Sequence, residues 1–260
     1  MTLARALKLH LRRFEIHGRA LRIVTLRPQT EVRFSTNYFH DTWHILAGSD
    51  GVALLGRLLW GLAFQRHPGT ALLIDDPHLV TTPFDGDPPD PILLIPEGLT
   101  SLDDDALRAL RLRLRRASGV PTTIRWHTFG MQRALAAESP RWHAERSLAR
   151  ERMSRRAGFV CYTARPAALR DHAIDVYRMR DGYANYHPVA ARGRWGGCTS
   201  DGEIQLIPDF TECVSAARVA RRELLDDART IATDVERWAI ETRTRLVLRR
   251  QRAARQPRER

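Results

Sequence analysis

Three short apolar runs limit how this chain can fold: "TALLID" (70–75), "ILLIP" (92–96) and "GFVCYT" (158–163). Each has the length of a strand and is apolar nearly throughout. Each therefore reads as a strand covered on both faces. Between the second and third lies "SLDDDALRALRLRLRRASG", with Ser101 as cap, acids in its first turn, arginines in its last and Gly119 beyond. Those are the start and stop signals of a helix over about 103–116. Buried strands alternating with amphipathic helices imply helix layers over a sheet. The expected fold class is α/β: a mostly parallel sheet flanked by helices, with a C-terminal helical segment.

The other elements follow from periodicity. Residues 3–14 predict an amphipathic helix, with Leu3, Leu7, His10, Leu11 and Phe14 on one face and Arg5, Lys8 and Arg12 on another. "LRIVTL" (21–26) predicts a strand, and so does 31–38, where Val32, Phe34, Thr36 and Tyr38 alternate. Ser49 or Asp50 opens a helix that "HPG" stops near Arg66. "TTIRWHTF" (122–129) alternates as a strand, and a polar helix is expected over 130–156 with a break at Pro140. The four runs from 70 to 163 should be neighbours in one sheet. Asp181-Gly182 signals a hairpin, although the stretch before it fits a helix from Pro166 equally well. "GEIQLIP" adds a short strand. The expected organisation is one α/β domain over 1–210, then a long helix or helical pair over 211–260 with a frayed arginine-rich tail.

Charge narrows the function classes. The chain carries a net +12, and Lys8 is the only lysine among 42 basic residues. Residues 41–105 hold eleven acids and two bases, a net of −9, so the remainder carries +21. A basic body of this kind attracts polyanions, of which nucleic acid is the commonest in a cell. Cys161, Cys198 and Cys213 are widely spaced and form no CxxC pair, which points to a reducing cytoplasm rather than a disulfide framework. The most apolar stretch, "GVALLGRLLWGLAF", is short and interrupted by Arg57, so no membrane span is expected. No GxGxxG, Walker A, GxSxG or kinase motif is present.

Two constellations carry candidate chemistry. In "HDTWH", a helix would bring His40 and His44 onto one face at metal-ligand spacing, but Asp41 stands where a zinc protease needs the longer Glu. The favoured reading is two interfacial histidines beside Trp43, with no metal. Asp75 and Asp76 follow one apolar run and Glu97 another. In open α/β sheets the carboxyl ends of the strands line the ligand crevice, and these acids could there hold Mg²⁺ or bind a ribose hydroxyl. Asp85, Asp87 and Asp90 lie in "DGDPPDP", which reads as a solvated turn-rich loop.

Two main function classes follow. The first is a basic cytoplasmic protein associated with DNA or RNA, an accessory or regulatory factor. Arg5, Lys8 and Arg12, together with Arg249, Arg250, Arg252 and Arg255 of the tail, would contact phosphates. The second is a metal-dependent phosphoester hydrolase, with Asp75, Asp76 and Glu97 as ligands and Arg125 or Arg165 on the phosphate. A protein-interaction module is a third class.

Overall fold

In the computed structural model, residues 6–137, 151–182, 184–189, 201–225 and 233–255 are described. The first described element is a strand. β1 (Ala6–Ile16) runs antiparallel to β2 (Arg19–Thr25), and the two-residue turn His17-Gly18 joins them with positive φ at both positions. That is the turn whose twist matches a hairpin. The helix expected over 3–14 is therefore corrected. Leu7, Leu9 and Leu11 satisfy a period of two as well as Leu7 and Leu11 satisfy a helical one. With partner strands on both sides, the period of two wins. Arg5 lies outside the described residues.

β3 (Phe34–Phe39) and β4 (Thr42–Ala47) form a second hairpin, closed by His40 and Asp41, both at positive φ. Helix α1 (Ser49–Ala63) follows, and then β5 (Thr70–Ile74) and β6 (Ile92–Pro96). Helix α2 (Asp104–Arg116) is capped by Asp103, whose carboxylate accepts the Ala106 N–H, rather than by Ser101. β7 (Thr122–His127) and the short α3 (Met131–Ala137) come next. β8 (Arg152–Arg156) occupies part of the stretch expected to be helix, and the turn Ala157-Gly158 returns it to β9 (Phe159–Ala164). Pro140 falls outside the described residues.

Asp181-Gly182 does not make a hairpin. It closes α4 (Pro166–Met179), where the Gly182 N–H donates to the Met179 carbonyl. β10 (Tyr186–Val189) and β11 (Gly202–Leu206) precede α5 (Phe210–Leu224) and α6 (Asp234–Arg255), the helical pair.

The strands form two mixed sheets, not a mostly parallel one. The larger runs β7-β1-β2-β5-β6-β9-β8 and the smaller β10-β11-β4-β3. Only β2–β5 and β6–β9 are parallel in the first, and β4–β11 in the second. The reason is visible in the connections. A parallel return needs a crossover, usually a helix, whereas β5 and β6 are joined by the Pro- and Asp-rich loop and lie antiparallel. β7 shares the sheet with the other three runs, but it sits at the far edge beside β1 rather than among them.

α1 is buried on nearly all sides because it packs on α4 and on strands of both sheets. α2 covers the opposite face of the larger sheet, over Phe14, Ile16, Leu21, Ile23, Leu73, Leu93, Ile95, Phe159 and Cys161. No helix among the described residues is long and apolar enough to cross a membrane.

Candidate nucleic-acid interface

Cross-strand partners share a face of the sheet, so register locates the charges. β1 pairs with β7 through Lys8↔Arg125 and His10↔Thr123, and with β2 through His10↔Thr25, Arg12↔Ile23 and Phe14↔Leu21. Phe14, Leu21 and Ile23 lie under α2. Lys8, His10, Arg12, Thr123, Arg125, His127 and Thr25 therefore lie on that same face, beyond the cover of α2. Lys8, Thr123, Arg125 and His127 are exposed, and His10, Arg12 and Thr25 partly so. The other face of the same strands is the core: Leu9, Leu11 and Trp126 are buried beneath α1. Each strand thus keeps its polar row outward by the same alternation that buries its apolar row.

Arg12 is steadied by donating to the Ala117 carbonyl at 3.2 Å, just beyond the arginine-rich last turn of α2. His10 is held below its ordinary pKa by burial, then by the cations Arg27 and Arg12. Asp75, just past the end of β5, has its pKa raised to about 6, chiefly by burial and then by Asp76, with Arg12 acting against the shift. Between Arg12 and Arg13 and the exposed Val120 lies a cavity of about 300 Å³, lined also by Leu11, Phe14 and Pro121.

At the end of the β7 row, the rings of His127 and Phe129 stack at 4.7 Å and 14°, and Phe129 is 60% exposed. Its backbone is pinned, because the Trp60 indole N–H donates to its carbonyl at 2.9 Å. His127 and Phe129 were not among the residues singled out from the sequence. The signal was there: Ile124, Trp126 and Thr128 alternate with Thr123, Arg125, His127 and Phe129.

The other candidates are placed differently. Arg252 pairs with Asp209 (2.6 Å) and Glu212 (3.4 Å), and Arg255 also pairs with Glu212. Arg249 and Arg250 are exposed on α6. The tail cations are thus partly neutralised within the molecule.

The acids do not converge. With β5 and β6 antiparallel and Ile74 opposite Ile92, Asp75 and Asp76 leave one end of the pair and Glu97 the other, roughly 20 Å apart along the strands. Glu97 instead accepts from Arg165 at 3.2 Å. His40 is an exposed turn residue, while His44 is buried in β4 with Nδ1 2.8 Å from Asn37 Oδ1 and Nε2 3.7 Å from Glu203. Burial lowers the His44 pKa, with Glu203 opposing. Among the described residues, no group of three or more His, Cys, Asp or Glu could hold a metal ion.

The "DGDPPDP" loop is not simply solvated. Asp85 is 2% exposed and pairs with Arg237 at 3.1 Å, Asp87 pairs with Arg221 at 2.6 Å, and Asp90 takes both nitrogens of Arg155. These acids fasten the loop to α5, α6 and β8. No family model, curated protein or solved structure matches the chain.

Proposed function

We propose that the protein binds nucleic acid through the open face of β7, β1 and β2, acting as an accessory factor rather than through catalysis of its own. The observation that carries this reading is the direct pairing of Lys8 with Arg125. Like charges opposite each other destabilise a sheet, and with Arg12 four residues further along β1 on the same face they make a cationic stripe that a row of phosphates would neutralise. Thr123, Thr25 and His10 supply hydrogen-bonding groups between the charges. Asp75 at the rim is an acid close to Arg12, and its raised pKa weakens its opposition below about pH 6.

The test is a fluorescence anisotropy titration of the full chain with labelled DNA and RNA oligonucleotides at several salt concentrations. Three to four neutralised phosphates give a slope of log K against log[salt] of about −2 to −3 for a single strand. Arg125→Glu should weaken binding to every sequence by a similar factor and flatten that slope. Retention of full affinity and slope by Lys8→Glu/Arg125→Glu would place any binding elsewhere on the molecule.

A further inference from the structure

We infer that the ligand of this face is an extended single strand, with an unpaired base stacked on the Phe129–His127 pair. The inference rests on the nucleic-acid reading above and names the form of nucleic acid it concerns. Phe129 is a large apolar ring left 60% exposed at the end of a cationic row, parallel to His127 at 4.7 Å. One ring face of the stack is turned inward on its neighbour. A base laid on the outer face continues the stack, and base–aromatic stacking needs no particular base because every base has a π-face. The backbone under the platform is held, since Trp60 donates to the Phe129 carbonyl and the chain then turns at Gly130, which has positive φ.

The geometry also disfavours a duplex. Reading a major groove takes a helix or a two-stranded ribbon that enters it. Here the charges lie on the face of a seven-stranded sheet, and β7 and β1 continue into β2 rather than standing apart. Residues two apart on a strand repeat every ~6.8 Å. A strand within B-form duplex advances only ~3.4 Å per nucleotide along its axis. The row His127, Arg125, Thr123 thus matches a stretched backbone whose bases are unstacked from one another, with Phe129 in the turn just beyond the strand. The rows of β7 and β1 run side by side, so a strand laid along them meets the aromatic pair at one end and Arg125, Lys8 and Arg12 further along.

Three probes separate the possibilities: a labelled oligothymidine, an abasic oligomer of equal length, and a hairpin duplex, each titrated against wild type, Phe129→Ala, Phe129→Trp and Arg125→Glu. Expected is tighter binding of oligothymidine than of duplex. Phe129→Ala should lose about 5- to 150-fold on oligothymidine and little on the abasic oligomer or the duplex, while Phe129→Trp retains affinity. Arg125→Glu should weaken all three probes. Circular dichroism of each variant shows that the fold is kept. Duplex binding as tight as oligothymidine, or a Phe129→Ala loss equal on all probes, overturns the single-strand inference while Arg125-dependent binding preserves the nucleic-acid reading. No binding of any probe at low salt overturns both.

Discussion

Lys8 and Arg125 stand directly opposite each other on antiparallel neighbours, both on the uncovered part of the sheet. A charge pair of this kind costs the free protein ~0.2–1 kcal/mol relative to a neutral one. Arg125→Thr should therefore raise the urea midpoint slightly while weakening polyanion binding. The two readouts move in opposite directions if the stripe is a binding surface. If stability and affinity fall together, Arg125 is acting as a structural residue.

Asp75 gives a pH signature. Burial raises its pKa to about 6, so the folded protein holds a proton that the unfolded chain has already released. By linkage, the group's contribution to stability is greatest below the unfolded pKa and is lost as pH rises through about 6. Asp75→Asn removes that loss. The variant should be more stable than wild type at about pH 7.5, on the order of 1–3 kcal/mol, and indistinguishable from it near pH 3. Urea unfolding curves at both pH values check this, and an equal difference at both would contradict it.

Two arginine ion pairs should differ sharply in their effect. Arg221 is buried between Asp87 and the Asp85 carbonyl, whereas Arg252 meets Asp209 and Glu212 at the surface. Arg221→Ala removes a buried cation and leaves half-buried Asp87 with the longer 3.8 Å pairing to Arg237, and should cost about 1–3 kcal/mol. Arg252→Ala should cost at most ~1 kcal/mol, because exposed pairs are screened and lose side-chain entropy on forming. Chemical denaturation of both variants decides it, and equal losses would show that the loop is not what anchors α5 and α6.

Gly61 on α1 faces Trp126 of β7 so closely that an added Cβ would fall well inside the indole. Alanine favours a helix over glycine by ~1 kcal/mol, yet Gly61→Ala should destabilise by a net ~1–3 kcal/mol through overpacking. Since Trp126 anchors the strand that carries Arg125, His127 and the lead into Phe129, affinity for oligothymidine should fall as well. Thermal melts and the same anisotropy titration report the two effects.

Elements whose burial is complete, or whose pattern fits one period only, were legible in the sequence. β5, β6 and β9 are uninterrupted apolar runs, and α2 has charged ends of the right sign. β1 was not legible, because Leu7 and Leu11 fit both periods. β8 was not, because "RMSRR" holds a single buried apolar residue, Met153. The order of strands is a matter of pairing across long stretches of chain, which local pattern does not encode. The candidate site shows the same division. Lys8, Arg12 and Arg125 stood out individually as cations, but nothing local places Arg125 beside Lys8.

That pairing of β1 with β7 has a kinetic consequence. The β1–β2 hairpin can close within a short stretch of chain, whereas the edge strand beside it arrives only after α1, β5, β6 and α2 have been made. Long-range contacts of this kind close slowly, since the intervening loop entropy is lost before the contact is gained. A nascent chain would carry Lys8 and Arg12 before Arg125 is made, and so no stripe. The surface matures as a late step of assembly, and its repulsive pair opposes that step. A refolding experiment that follows Trp126 should find β7 docking behind the closure of the β1–β2 hairpin, with the polyanion accelerating or stabilising the final docking.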